Sequence, residues 1–163
     1  MRTRILPAVG LCVLTVFVGG MVVGAQVQIR QQAPTDRAAD FPLAELEAIV
    51  QEMDAEQRQT VRLLEGGSYN VNIRRIRGGE TALMHPRTID VWVVREGSGT
   101  LVTGGQIVDA NGEPVEQRGA AIRGGEEREI GIGDLIFIPA GVPHGIRETD
   151  GITWFNIRFD TLP

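Results

Sequence analysis

The chain has 163 residues and a formal net charge of −5, and it contains no run of basic residues, which argues against nucleic acid as a partner. It has no lysine and only one cysteine, so a catalytic lysine and an internal disulfide are both excluded. Without disulfides, the folded part of the chain must be stabilised by its own apolar core, for which its length is sufficient.

Residues 1–25 have the pattern of a secretory signal peptide. Arg2 and Arg4 precede an apolar run, residues 5–24, and small residues close the segment at Ala25. We predict cleavage after Ala25, which makes the protein secreted or periplasmic, without stable membrane association, and removes its only cysteine. The apolar run is also long enough to span a bilayer, so an uncleaved N-terminal anchor is the alternative.

The remaining chain is predicted to form one domain that follows a short tether. Residues 26–39 are polar and unpatterned, which is typical of a flexible tether, and residues 40–163 make up the domain. A helix is predicted over residues 43–53, where apolar side chains recur at helical spacing. From about residue 63 to residue 159, short alternating segments separated by glycine-rich turns predict an all-β sandwich or barrel.

The segment GDLIFIPAGVPHG ends a strand abruptly and then presents a histidine. Pro139 cannot continue a central ladder, Gly141 permits the positive φ of a tight turn, and Pro143 stiffens the backbone just before His144. A histidine on such a rigid corner points in a fixed direction, as a metal ligand must. Taken by itself, the segment is equally consistent with a surface histidine on a β-turn.

The spacing of this segment resembles the second motif of the cupin superfamily, Gly-x5-Pro-x-Gly-x2-His. Its four fixed places are filled by Gly133, Pro139, Gly141 and His144. The stretch DVWVVREGSGTLVTGG and a glycine-rich insert after it are similar to a subgroup of small cupins. The resemblance covers residues 63–159, most of the chain that follows the predicted signal peptide.

The first cupin motif, Gly-x5-His-x-His-x3–4-Glu-x6-Gly, is degraded in this chain. His85 resembles the second histidine of the motif, and Asp90 lies at the place of its glutamate with a shorter side chain. Leu83 stands at the place of the first histidine and cannot bind a metal. The chain has only two histidines, His85 and His144, and both fall on motif positions.

The resemblance implies a double-stranded β-helix, or jelly-roll barrel, with a short N-terminal helix and a metal inside the barrel mouth. His85, Asp90 and His144 would then surround one divalent transition metal. Two imidazoles and a carboxylate can hold iron, manganese, nickel or zinc with positions left open for substrate, because these donors are not selective.

Two alternatives to this three-ligand site stay open. Asp90 could support a histidine or Arg87 from outside the ligand set, which leaves a weaker site of two histidines. The loss of a ligand at Leu83 could also weaken binding so far that no metal is held.

Strand alternation alone does not settle which polar side chains of the strands face the barrel interior. We take Tyr69, Arg87, Trp92 and Asn156 as the candidate substrate contacts and assign no catalytic residue. Inward arginines would suit an anionic or carboxylate substrate. Arg75, Trp154 and Arg158 could also face the interior, but most of these polar side chains are expected to lie on the outer face as solvated charges.

Three functions are consistent with these observations, so whether the protein is an enzyme is left open. The first is a metal-dependent cupin that acts on a small polar molecule by dioxygenase, isomerase or lyase chemistry. The second is a non-catalytic cupin that binds a small molecule with weak or no metal. The third is a structural or interaction barrel at the cell envelope. A homodimer is expected in each case, because edge strands and an apolar helix face need cover.

Overall fold

The computed structural model describes residues 27–161, so the predicted signal peptide lies outside the described residues. Over these residues the protein is a β-barrel with one helix, which confirms the predicted all-β class. Its elements are β1 (Gln28–Gln32), α1 (Leu43–Ala55), β2 (Thr60–Glu65), β3 (Tyr69–Ile76), β4 (Ala82–Leu83), β5 (Thr88–Thr103), β6 (Gln106–Val108), β7 (Arg118–Gly119), β8 (Ala121–Arg123), β9 (Glu126–Gly131), β10 (Leu135–Ile138) and β11 (His144–Asp160). Within residues 27–161, no helix has the length and apolar character needed to cross a membrane.

The strands β5 and β11 form one long antiparallel ribbon that organises the fold. Their pairing runs from Thr88 opposite Asp160 at one end to Thr103 opposite His144 at the other. The register shifts at three places along β11, and bulges of this kind bend a strand pair. The bent ribbon can therefore take part in both walls of a barrel.

Each end of the ribbon belongs to a different group of strands. Around Thr88 and Asp160 the order is β1-β2-β3-β11-β5-β10, and around Thr103 and His144 it is β7-β4-β11-β5-β9. The strands β6 and β8 pair separately as a short two-stranded sheet. The two groups enclose the barrel interior between them.

Glycine permits the close approach of the two ribbon strands at the bend. Gly97 has a φ of +68°, and a Cβ added to it would overlap the carbonyl oxygen of Gly151 on the opposite strand. Gly104, beyond the end of β5, has a similar φ of +72° but nothing within 4 Å of an added Cβ. Only the first of these two glycines is therefore required by packing as well as by conformation.

The barrel interior contains an apolar cluster to which both long strands contribute. Successive residues of a strand point to opposite faces, so every second residue lies inside on each side of the bend, and the inward residues of β5 change from Trp92 and Val94 before it to Leu101 after it. The cluster consists of Ile76, Trp92, Val94, Leu101, Ile130, Ile136, Ile138, Ile146, Ile152 and Trp154, with Val142 packed against it. One end of this interior is polar, and it holds the two histidines.

The helix α1 packs on the outer face of the barrel rather than inside it. Ile49 and Met53 are buried against Val61, Leu63 and Ile73, which point outward from β2 and β3. The helix continues two residues beyond the predicted end at residue 53, because its last turn is fixed to the barrel by these contacts.

The polar segment 26–39, which we predicted as a flexible tether, contains the strand β1. Gln28–Gln32 pairs in parallel with β2, and the backbone N–H of Ala33 donates to the carbonyl oxygen of Glu65 at 2.8 Å. The strand lies at the sheet edge and most of its side chains are exposed, so it needs no apolar pattern. Backbone pairing gives this segment its structure, and side-chain bonds from Arg58 to Gln28 and from Arg30 to Glu52 support it.

Candidate metal centre

Cross-strand pairing brings four polar side chains together inside the barrel. Asp90 lies directly opposite Arg158 in the β5–β11 register, and Trp92 lies opposite Asn156. Residues two apart on a strand share a face, so all four side chains point the same way. The face is the inner one, because Trp92 belongs to the interior cluster.

The turn before β11 fixes the position of His144. Gly141 has a φ of +79°, and its backbone N–H donates to the carbonyl oxygen of His85 at 2.8 Å. This bond ties the turn of the second motif to the loop that carries the other histidine. His144 then pairs with Leu83 of β4, so a ligand at the degraded motif position would have shared the same face.

His85, Asp90 and His144 meet at one point. One ligand atom from each residue lies within 4.8 Å of the others. Oδ2 of Asp90 is 3.4 Å from Nε2 of His144 and 3.9 Å from Nε2 of His85. Asp90 and His144 are 0% and 3% exposed, whereas His85 is only partly buried and faces the mouth. The cluster has the donor set expected for a divalent transition metal.

The surroundings keep Asp90 ionised and His85 neutral. Burial by itself raises the pKa of Asp90, but a hydrogen bond from His144 with a proton on Nε2 and the charge of Arg158 outweigh it and hold the pKa well below its usual value of 3.8. Burial, reinforced by the charge of Arg158, lowers the pKa of His85 to about 4. Both groups are thus in the protonation state that binds a metal.

The space between Nε2 of His144 and the carboxylate of Asp90 takes a positive charge, either a proton or a metal ion. The Nδ1 atom of His144 lies 2.9 Å from the carbonyl oxygen of Val142, which places the proton on Nδ1 when the ring is neutral. Nε2 is then a buried acceptor, and it has no hydrogen-bond partner among residues 27–161. Its lone pair faces the carboxylate of Asp90 at 3.4 Å, and two lone pairs at this distance repel unless a proton or a metal ion lies between them.

Two of the four predicted substrate contacts lie at the cluster. The indole of Trp92 packs edge-on to the ring of His144 with centroids 5.7 Å apart, and its Nε1 lies 3.4 Å from Oδ2 of Asp90. Asn156 donates from Nδ2 to the same oxygen at 3.3 Å. Its Oδ1 is buried without a partner within the described chain, so it can accept a hydrogen bond from a ligand.

The structure places the other two predicted contacts away from the cluster. Tyr69 is 38% exposed and points outward, because it shares the face of Val71 and Ile73 on β3. Arg87 is exposed just before β5 begins, where the strand no longer directs side chains inward. Neither side chain reaches the barrel interior.

Arg158 is one of the polar strand residues that face the interior, although most of them were expected on the outer face. It points inward and donates from Nε to Oδ1 of Asp90 at 3.0 Å and from Nη2 to Oδ2 at 3.3 Å. The same Nη2 lies 3.0 Å from Nε2 of His85. The sequence held a signal for this placement, since Arg158 follows Asn156 by two residues and therefore shares its face.

Arg74 is a second inward arginine, and the sequence analysis missed it. It is paired with Glu80 and lies 5.5 Å from the ring centroid of Trp154. Burial, together with the nearby charge of Arg158, lowers the pKa of Arg74 to about 10, so it is charged at neutral pH. The interior thus carries two arginines close to the candidate ligands.

The comparisons with known proteins agree with this architecture. No family model and no curated protein matches the chain. Among solved structures, BH2720 from Bacillus halodurans is similar with 20% identity and a TM-score of 0.52, over 80% of this chain and 85% of that chain. A cupin 2 conserved barrel domain protein from Salinispora arenicola has 14% identity and a TM-score of 0.43, over 62% and 74%. Ectoine synthase from P. lautus has 19% identity and a TM-score of 0.45, over 63% and 64%.

Sequence identities this low give evidence on the fold but not on the activity or the site residues. The bent ribbon, the two strand groups that it joins and the second-motif turn at His144 are the features that the cupin resemblance predicted. The prediction is confirmed at that level: this chain is a double-stranded β-helix with the cupin fold.

Proposed function

We propose that this protein binds one divalent transition metal through His85, Asp90 and His144 and uses the site to act on a small polar molecule. The observation that carries the proposal is the buried Nε2 of His144, which has no hydrogen-bond partner in the described part of the chain and faces the carboxylate of Asp90. The low pKa of His85 supports it, because burial keeps this ligand free of a proton at neutral pH. Iron, manganese, nickel and zinc all suit this donor set.

A metal bound here would supply Lewis acidity and open positions for a substrate, the common basis of dioxygenase, isomerase and lyase chemistry. The residues around the site would select and orient that substrate. Oδ1 of Asn156 can accept a hydrogen bond, and the indole of Trp92 limits the access of water from the core side. The charges of Arg74 and Arg158 favour a substrate with an anionic group such as a carboxylate.

A non-catalytic cupin that binds a small molecule without metal is the second candidate. It is favoured by Arg158, which already supplies Asp90 with a positive partner inside the barrel. In that case the inward polar groups would contact the ligand directly.

Export and dimerisation are also part of the proposal. The N-terminal pattern of residues 1–25 supports export to the periplasm or beyond.

The exposed apolar side chains of β10 and the turn before it support a homodimer. Ile132, Leu135 and Phe137 are 73%, 69% and 62% exposed. Within the described residues, β10 pairs with β5 alone, so its other edge is free to pair with a second copy.

Metal content after reconstitution tests the central claim. Purified protein is stripped with a chelator, incubated separately with Fe(II), Mn(II), Ni(II) and Zn(II), desalted and analysed for metal. We expect about one ion per chain with at least one of these metals, and several-fold less in His144→Ala and His85→Ala, because a site with three ligands has no spare donor. Arg87→Gln is the control, since Arg87 is exposed and away from the cluster. Protein that stays metal-free with all four ions would contradict the proposal and leave the metal-free binding function.

A further inference from the structure

One guanidinium contacts two of the three proposed ligands. Nη2 of Arg158 lies 3.0 Å from Nε2 of His85 and 3.3 Å from Oδ2 of Asp90, and Nε lies 3.0 Å from Oδ1 of Asp90. Arginine is a donor only and stays charged in proteins. Nε2 of His85 is therefore the acceptor, and its lone pair is already in use.

The atoms that Arg158 contacts are those that a metal would need. Nε2 of His85 and Oδ2 of Asp90 are the ligand atoms that lie 3.9 Å apart across the cluster. The remaining ligand atom, Nε2 of His144, makes no hydrogen bond within residues 27–161. The guanidinium thus uses the acceptor atoms of two proposed ligands and leaves that of the third without a hydrogen bond.

We propose that Arg158 competes with the metal for His85 and Asp90, so that the ion binds only when the guanidinium moves away. The inference rests on the proposed metal site. A divalent ion at the ligands would lie beside a fixed positive charge and share the single carboxylate with it, and both effects weaken its binding. Arg158 is therefore a positioning residue that sets how readily the site loads.

The surroundings of Arg158 allow this movement. Its side chain is 22% exposed, near the end of β11, so the guanidinium can turn toward the solvent at the mouth. Arg74 cannot do the same, because it is held by Glu80 against the ring of Trp154. Of these two inward arginines, only Arg158 touches a ligand atom and has access to water.

Metal affinity in Arg158 variants tests the proposal. Chelator-treated wild type, Arg158→Gln and Arg158→Lys are titrated calorimetrically with Ni(II) and Mn(II), after circular dichroism has shown that each variant is folded. We expect at least about tenfold tighter binding in Arg158→Gln, equivalent to about 1.4 kcal/mol, because glutamine carries no charge and can still donate to Asp90. The metal affinity of Arg158→Lys should lie between those of wild type and Arg158→Gln. Lysine keeps the positive charge but lacks the planar guanidinium that donates to both oxygens of Asp90.

Two further variants test whether the change in metal affinity arises at the proposed ligands. Arg118→Gln removes a positive charge from β7, close enough to Arg74 to lower its pKa, but Arg118 makes no contact with a ligand atom among the described residues. It should leave the affinity within about twofold of wild type. His144→Ala combined with Arg158→Gln should lose the gain, which shows that the ion sits at the proposed ligands.

The outcomes separate this inference from the proposed function. Tight binding in Arg158→Gln supports it, even where the wild type takes up no measurable metal. Equal or weaker binding in Arg158→Gln and Arg158→Lys, with a wild type that binds, overturns the competition and keeps the metal site. An equal gain in Arg118→Gln overturns it as well, because the effect would then be one of overall charge. An absence of binding in every protein overturns both proposals.

Discussion

Asp90 and Arg158 are direct partners across the β5–β11 ribbon, and they form an ion pair with Nε to Oδ1 at 3.0 Å inside the barrel. The carboxylate is almost wholly buried, and four side chains, those of Trp92, His144, Asn156 and Arg158, donate to it or lie within hydrogen-bond distance. Asp90 therefore has two roles: it neutralises an inward arginine, and it is a candidate ligand.

Asp90→Asn should test both roles of this carboxylate. We expect the free energy of unfolding to fall by about 3 kcal/mol, because Arg158 is left without a counter-charge in a largely buried site. Chemical denaturation measures the loss, and Asp90→Asn combined with Arg158→Gln should recover part of it. Metal binding should also be lost. If Asp90→Asn kept wild-type metal affinity, Asp90 would not be a ligand.

Gly97 and Gly104 form a matched pair for the bend in the ribbon. Gly104→Ala should cost about 1–2 kcal/mol, the strain of a left-handed backbone with a Cβ. Gly97→Ala carries the same strain, and overlap with the Gly151 carbonyl should add about 1–3 kcal/mol. Denaturant unfolding of both variants measures the difference. Equal losses would show that the two strands are not in close contact at the bend.

Asp54 links the end of α1 to β3 and should make stability depend on pH. It accepts from Nη2 of Arg77 at 2.7 Å and from Nε of Arg75 at 3.1 Å, and these bonds, that from Arg77 most, lower its pKa below 3.8. Because the folded pKa is the lower one, the stabilisation is complete above the unfolded value and is lost as the pH falls through the folded value.

Asp54→Asn should therefore reduce the free energy of unfolding by about 1 kcal/mol at pH 7. The difference from wild type should shrink as the pH falls below 3.8, the ordinary pKa of an aspartate. Asp36→Asn is the control, because its ion pair with Arg37 is highly exposed and should contribute almost nothing. A difference independent of pH would show that the charge of Asp54 does not matter.

The proposed dimer can be tested at β10. Phe137→Glu and Leu135→Glu should convert a dimer to a monomer in light scattering at micromolar concentration, because a charge at the centre of an apolar contact is costly. Leu43→Glu is the control, since Leu43 is an exposed apolar residue on α1. A dimer broken by Leu43→Glu alone would place the interface on the helix, and a monomeric wild type would remove the proposal.

Processing of the N-terminus is a separate prediction. Mass spectrometry of the exported protein should find Gln26 as the first residue, because the cleavage site ends at Ala25. The strand β1 begins at Gln28, so the mature chain keeps its pairing with β2. Recovery of the intact chain in the membrane fraction would indicate an anchored protein.

Local chemistry explains what the sequence could predict about the site. The turn before His144 depends on Gly141 and its neighbouring prolines, which act over a few residues and are visible as a motif. The partners Asp90 and Arg158 are 68 residues apart, and only the register of the ribbon brings them together. Alternation along β11 gives the spacing of its inward residues but not which set is inward.

The difference between local patterns and long-range pairing also explains which helices and strands outside the site were predicted. The helix α1 has an apolar stripe and was predicted nearly in full, whereas β1 is polar and was predicted as a tether. An edge strand held by backbone bonds leaves no trace in the hydrophobic pattern. Tyr69 shows the limit of residue type as a guide, since an aromatic ring on β3 is as suited to the outer face as to the interior.

The ribbon also determines when the site forms as the protein folds. His144 lies at one end of the ribbon, paired with Thr103, whereas Asp90 lies near the other end, paired with Arg158. Their contact exists only after the ribbon has curled until its ends meet, a long-range closure that comes late because its entropy cost is high. An ion held by both residues would therefore leave the early steps of folding unchanged. It would slow unfolding, because the ends of the ribbon could not separate until the ion had left.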